Sequence, residues 1–392
     1  MVAIFLAPIY ILFNVYIIRW LLKWMGACSH HFKKNWMKTL VILIYSFFAL
    51  SILTSFFFPV RWLKVITNIW FGMALYIILT ILIVDLIRIL LKYVIPIDKE
   101  KLASKKLFVT TGTICVIFIL AISTYGVLNA KHIREVSYDV SIEKKTEHIK
   151  TLKIALVADF HLGYNTGNFM MEQMVRKINE ADVDLVVIAG DIFDNEYDAI
   201  EDPEKIIETL KGLKSTYGSY ACYGNHDIEE KILAGFTFKQ EGKKMSDPRM
   251  DELLEKSNIL LLKDEGVLIE NDFYLYGRPD KERPNRGITV RKTPSEITKD
   301  MDLSKPVILM DHEPAQLSEL SKAGVDLDLA GHTHDGQMFP GNLTIKLMWE
   351  NAYGLLKKGD MTNITTSGIG VFGPNMRVGA NPEIAYVTVR FQ

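Results

Sequence analysis

The sequence predicts a helical membrane region followed by an α/β domain, and three observations carry that prediction. The first 130 residues hold four long apolar runs, near 2–18, 39–60, 65–87 and 107–127. Beyond them, short apolar runs alternate with polar, helix-like stretches in a βαβ rhythm. Clusters of Asp, Asn and His sit at the ends of those short runs.

Each long run approaches or exceeds the ~20 residues a helix needs to cross the hydrocarbon core. Reading them as buried helices of a soluble protein would require four consecutive helices apolar all round. The first run is expected to be a retained span and not a cleaved leader, because Arg19, Lys23, Lys33 and Lys34 follow the apolar stretch instead of preceding it. The first connection also carries Lys38, and the third carries Arg88, Lys92, Lys99, Lys101, Lys105 and Lys106, against only Arg61 and Lys64 in the second. Basic loops stay in the cytoplasm. The chain is therefore expected to be a multi-pass protein of the cell membrane, with everything after about residue 128 outside the cytoplasm. Asp85 precedes Arg88 by one helical turn and is spaced to pair with it.

The expected organisation is a transmembrane region at 1–130, a short linker and first strand at 131–149, and an α/β domain at 150–392. Lys+Arg (45) and Asp+Glu (46) balance, so no bulk positive charge points to a nucleic-acid partner. Of three cysteines, only Cys222 lies in the domain, which excludes an internal disulfide there. A domain of this size buries an adequate core without one.

Within the domain, Leu152 to Ala158 reads as a buried strand ending in Asp159-Phe160-His161. Residues 184–189 end in Gly190-Asp191-Ile192-Phe193-Asp194, and Ser219 to Tyr223 leads into Gly224-Asn225-His226-Asp227. Pro306 to Met310 leads to His312, and Val325 to Ala330 to Gly331-His332-Thr333-His334. Helices are expected over 170–180, 203–214, 249–257 and 314–322, with Asp202-Pro203 and Glu313-Pro314 as starts. The last segment, from Thr362, reads as mostly β and finishes in the alternating strand Ile384 to Phe391. The clusters thus fall at the carboxyl ends of strands, where open α/β sheets place their sites.

Together the clusters offer two Asp, one Asn and four His as ligands: Asp159, Asp191, Asn225, His161, His312, His332 and His334. Oxygen and imidazole donors without thiolate suit Mn, Fe or Zn better than a structural Cys-rich site. One Asp-x-His or His-x-His alone would mean little. Here five of the chain's nine histidines fall in the clusters, which a chance distribution does not explain.

The five blocks, in this order, resemble the signature of the calcineurin-like metallophosphoesterases, in particular the membrane-anchored bacterial type. The resemblance runs from about residue 150 to the C-terminus and implies a two-sheet sandwich flanked by helices. It implies two divalent metal ions, one held by Asp159, His161 and His334 and the other by Asn225, His312 and His332, with Asp191 bridging. A water shared by such a pair is the expected nucleophile. His226 then serves as general acid or as a donor to the phosphoryl oxygens, Asp227 orients its ring, and Asp194 supports the site. Two segments depart from close relatives: Asp335-Gly336-Gln337 where Gly-Gly-Gln is common, and Gly277-Arg278-Pro279-Asp280 where an acidic turn is common. Arg377 and Arg278, with Arg286 and Arg291, are candidate phosphate contacts.

The function expected is hydrolysis of a phosphate ester or pyrophosphate, with a lipid-linked or phospholipid substrate favoured because the domain is tethered to the membrane. Two alternatives stay open: a phosphodiesterase for soluble nucleotides or phosphodiesters that is merely anchored, and a transporter or sensor carrying a regulatory phosphoesterase. Nothing in the sequence points to a protein partner.

Overall fold

The computed structural model describes residues 2–58, 60–95, 98–230, 232–233, 236–237, 245–283 and 288–392. The chain divides into two compact units. One comprises Met1–Val127 with Ile232–Thr237 and Gly373–Met376; the other comprises Leu128–Lys231, Phe238–Phe372 and Arg377–Gln392.

In the first unit the four apolar runs form α1 (Val2–Cys28), α2 (Asn35–Phe57), α3 (Arg61–Tyr93) and α4 (Lys105–Asn129), all long and apolar enough to cross a membrane. Ile17, Ala49, Trp70, Ala74, Ile77, Ile81 and Ile119 meet in their shared core. Polar side chains join helices across it: the Tyr10 hydroxyl donates to Ala49 O at 2.8 Å and that of Tyr45 to Asn14 Oδ1 at 2.7 Å. Asp85, expected to pair along its own helix, accepts a hydrogen bond from the Tyr16 hydroxyl of α1.

The second unit contains two mixed six-stranded sheets. The first uses β1 (Arg134–Ile142), β2 (Thr151–Val157), β3 (Leu185–Ala189), β4 (Ser219–Cys222), β5 (Ile259–Leu261) and β12 (Glu383–Phe391), in the order β1-β12-β2-β3-β4-β5. The second uses β6 (Glu265–Ile269), β7 (Phe273–Arg278), β8 (Val307–Asp311), β9 (Leu327–Ala330), β10 (Gly354–Lys358) and β11 (Met361–Thr365), in the order β10-β11-β9-β8-β7-β6. The neighbours β2, β3, β4 and β5 run parallel, as do β7, β8, β9 and β11.

Period-2 alternation gives each sheet two buried faces. Leu152, Ile154 and Leu156 share one core with Ile308, Met310, Leu327 and Leu329 of the other sheet. Ala155 and Val157 turn the other way, onto Met171, Met174 and Ile178 of α5 (Asn168–Ala181). Truncating a residue between the sheets, such as Ile154→Ala, would cost about 2–5 kcal/mol. The layers run helices, sheet, sheet, helices, with α6 (Pro203–Leu210) and α7 (Pro248–Lys256) beside α5.

Asp202 caps α6 by accepting from Lys205 N at 3.1 Å, with Pro203 in the first turn where a missing N–H costs nothing. That helix stops at Leu210, short of the expected 214, as the chain turns at Gly212. Pro314 does not start α8 (Leu317–Lys322), because Gln316 before it sits at φ 57° and resets the backbone. Asp272, in the turn between β6 and β7, accepts the backbone N–H groups of Glu147, His148 and Ile149 at 2.9, 2.9 and 2.7 Å. It thereby fixes the approach to β2.

Candidate metal centre

β2, β3, β4, β8 and β9 each end in one motif, and the parallel register brings those ends together. Close approach explains the glycines. A Cβ on Gly224 would lie 2.3 Å from Asp191 Oδ1, and one on Gly331 would lie 2.7 Å from Asp159 Oδ2. Five of the seven ligand candidates have positive φ: Asp159 (54°), His161 (46°), Asp191 (49°), His332 (71°) and His334 (50°). Each such non-glycine residue costs about 1–3 kcal/mol and persists only where its surroundings over-determine it.

The donors converge in two trios joined by one carboxylate. Asn225 Oδ1 lies 3.1 Å from His312 Nε2 and 3.0 Å from His332 Nδ1, and those two nitrogens are 3.1 Å apart. On the other side His161 Nε2 is 3.1 Å from His334 Nε2, which is 3.6 Å from Asp159 Oδ1. Asp191 Oδ2 lies between them, 3.1 Å from His312 Nε2 and 3.7 Å from His161 Nε2. Lone pairs aimed at one another at this spacing fit a cation better than mutual hydrogen bonds, so the residues fit divalent metal ions.

Hydrogen bonds behind the donors hold their rings. His312 Nδ1 is 2.9 Å from Ala189 O, which leaves Nε2 as the ring atom turned to Asp191. Against burial, Asp191 holds the metal-free imidazole well above its ordinary value, and a bound cation would take the place of the Nε2 proton. Asp194 Oδ1 stands 3.5 Å from His161 Nδ1. Burial pushes the His332 imidazole down to about 3, helped by His312, and burial with His161 and Arg377 holds that of His334 well below its ordinary value. Both are neutral, which is the ligating form. Burial lifts the carboxyl of Asp159 to about 6 against the pull of His312, and a bound cation would supply the positive charge it lacks.

His226 stands beside the trios without belonging to the pair described above. Its backbone N donates to Asp191 Oδ1 at 2.7 Å, and its ring lies 4.4 Å from that of Phe372. Burial holds its imidazole down to about 4, against Asp191 and with His161. Its Nδ1 faces Asn195 Oδ1. The amide is held the right way round because Asn195 Nδ2 donates to Ile228 O at 3.2 Å.

Asp227 is expected to orient His226, and its carboxylate is also tied to the backbone around it. Its two oxygens accept the backbone N–H of Phe193 at 2.8 Å and of Gly224 at 2.7 Å, so it ties the β3 and β4 loops together. Burial and then Asp191 raise its carboxyl to about 7 against those two donors. Asn195, one residue beyond the Gly-Asp block, is a residue the sequence reading missed.

The arginines expected to meet phosphate are largely buried. Arg278 is buried beneath the site, with Nη1 2.8 Å from Asp311 Oδ2 and Nη2 on Gln316. Arg291 shares Asp311 at 3.3 Å. Arg377 is buried too: Nη2 donates to Ser367 O at 2.7 Å and Gly370 O at 2.6 Å, and stands 3.1 Å from His334 Nδ1. These inward donors of Arg278 and Arg377 brace the site. Arg286 lies outside the described residues. Arg283, unmarked by any motif, donates to Asn225 O and to Glu230 Oε2, each at 3.1 Å.

Gln337, from one of the two divergent segments, brackets the Phe372 backbone, donating to Phe372 O at 3.0 Å and accepting from Phe372 N at 2.9 Å. Trp349 lies edge-on to His332 with ring centroids 5.0 Å apart, and Glu313 Oε1 is 3.8 Å from His332 Nε2. No local pattern marks Trp349, and the sequence marks Glu313 only as a helix start.

Residues 152–336 match the family of calcineurin-like phosphoesterases. This segment is a calcineurin-like phosphoesterase domain. A metallophosphoesterase of Helicobacter pylori is 33% identical over 61% of this chain and 60% of its own length. One from Campylobacter jejuni is 27% identical over 78% of this chain and 76% of its own length. A transmembrane protein with metallophosphoesterase domain from Danio rerio is 28% identical over 74% of this chain and 65% of its own length. The chain thus spans about three fifths of the Helicobacter relative. All five strand-end motifs, from Asp159 to His334, lie within the matched residues.

Proposed function

We propose that the chain is a membrane-anchored, metal-dependent phosphoester or pyrophosphate hydrolase acting on a lipid-linked or phospholipid phosphate at the outer face of the cell membrane. The observation that carries the reading is Asp191 Oδ2, set between His161 of one donor trio and His312 of the other. On this reading Asp159, His161 and His334 hold one divalent ion, Asn225, His312 and His332 hold a second, and Asp191 bridges. Mn, Fe or Zn suits the donor set. Bound there, such ions would neutralise phosphoryl oxygens and make a water nucleophilic at neutral pH.

The chain's own residues do the rest. His226 presents Nε2 while Asn195 holds Nδ1. An arriving phosphate anion favours the imidazolium, and the proton it gathers is then available to the departing oxygen. Phe372, against the rings of His161 and His226, screens that proton from water. The excess of Lys and Arg in the first and third connections supports an extracytoplasmic domain.

The test is Asp191→Asn in the full chain, assayed for bound metal and for turnover of an aryl phosphodiester. Loss of both metals with turnover reduced by at least ~10³ is expected from losing the bridging charge. Two bound metals with turnover retained would overturn the ligand assignment.

A further inference from the structure

The segment between His334 and Trp349 leaves the candidate metal centre and returns to it. It departs from His334, and at its far end the Trp349 ring lies 5.0 Å from that of His332. Between them runs one short helical stretch, Gly341–Thr344 continued by Ile345–Leu347, closed by Leu343 N donating to Pro340 O at 2.9 Å and Met348 N to Ile345 O at 3.0 Å. Leu343 and Leu347 are four residues apart within the stretch, and Phe339 precedes it by two residues. These side chains are turned outward: Phe339 is 47% exposed, Leu343 57%, Leu347 86% and Met348 75%.

Single exposed apolar residues need no explanation, but a contiguous group does. Among the described residues, other exposed large apolar side chains of the domain such as Phe169, Leu260, Leu268, Val290 and Leu303 lie in separate segments, and Tyr353 and Leu355 follow shortly after Trp349. Lys346 is exposed within the same turn and its charge reaches Asp335, the residue after His334. An apolar ridge with a lysine beside it is the composition of a surface that sits at a lipid–water boundary, its apolar side chains among acyl chains and its amine at the headgroups.

We propose that the 339–348 ridge docks on the bilayer surface and guides a lipid phosphate from the membrane to the metal centre. The proposal rests on the lipid reading above and deepens it. What covers the ridge is argued from the chain itself. Four helices able to cross a membrane precede the domain, and only residues 130–133 separate the end of α4 from β1. Four extended residues reach about 14 Å at most, so a bilayer is always near this domain, whereas another protein or a second copy must be recruited.

The test uses the full chain, with Cys28, Cys115 and Cys222 replaced, in vesicles of phosphatidylethanolamine and phosphatidylglycerol. An environment-sensitive fluorophore is attached at Leu347→Cys or, as reference, at Thr216→Cys. The Leu347 label should be blue-shifted and quenched by spin-labelled lipid about twofold or more, as for a probe at the acyl boundary, with the Thr216 label water-like. A water-like Leu347 label overturns the proposal. So does a blue-shifted label that spin-labelled lipid does not quench, which would mean a second copy or another protein covers the ridge. In a second arm, the combined Leu343→Ser, Leu347→Ser and Met348→Ser variant should lose about tenfold in turnover of phosphatidic acid in vesicles while hydrolysing a soluble aryl phosphodiester unchanged. Equal loss on both substrates, or on neither, overturns guidance by the ridge. Insertion of the label together with soluble but no lipid turnover in the unaltered chain supports docking and instead overturns the lipid-substrate reading.

Discussion

Asn195 holds His226 at two points: its side-chain Oδ1 faces the imidazole Nδ1, and its backbone N donates to His226 O at 3.1 Å. Asn195 is itself buried at φ 63°, a conformation asparagine tolerates better than most residues. One side chain on the β3 loop therefore sets the ring angle and tautomer of a histidine on the β4 loop.

Removing that acceptor should impair turnover through His226. Asn195→Ala is expected to lower kcat by ~10–10², and His226→Ala by ~10²–10⁴, with metal content unchanged in both. Because the two act as a unit, the double variant should be no slower than His226→Ala. Asn195→Asp keeps an acceptor and should retain most of the turnover. Multiplicative losses in the double variant would show that Asn195 acts independently of His226.

Arg377 offers a contrast between bracing and substrate contact. Arg377→Lys leaves the carbonyls of Ser367, Gly370 and Asn381 short of donors, so the domain should lose about 2–4 kcal/mol of stability. KM of the folded fraction should change little. A normal melting temperature with KM raised tenfold would return Arg377 to the substrate side.

Asp272 links the domain's stability to pH. Burial alone would raise its carboxyl, but the three backbone N–H donors at Glu147, His148 and Ile149 outweigh it and hold the pKa below the ordinary value. A group lowered in the folded state stabilises above its unfolded pKa, and that contribution fades as pH falls through the folded one. Asp272→Asn should therefore cost about 1–3 kcal/mol near neutral pH. The gap between the two proteins in urea melts should narrow below about pH 4. A gap constant with pH would mean that the carboxylate charge is not what matters.

Topology can be read with single cysteines in a chain lacking the native three. Ser246 lies in a polar stretch of sequence but is buried, so the exposed Thr216 is the better outer position, with exposed Ala103 as the inner one. Thr216→Cys should react with a membrane-impermeant maleimide in intact cells, and Ala103→Cys only after lysis. The reverse pattern would put the domain in the cytoplasm and turn the substrate search to lipids of the inner leaflet.

What the sequence determined by itself was whatever a local pattern encodes. Twenty-residue apolar runs marked the four long helices, and short buried runs marked β2, β3, β4, β8 and β9 within a few residues. Donor clusters at strand ends marked the residues that come together. Only the tertiary structure decided how they meet, since His161 and His334 are 173 residues apart and are joined through sheet register. The left-handed backbone at five donors was not legible either, because neighbouring strands impose it against local preference. The same holds for the contact of Asn195 with His226, and for the inward turn of Arg278 and Arg377. Residue type announces a charge or a donor, but which partner satisfies it depends on what the fold buries around it.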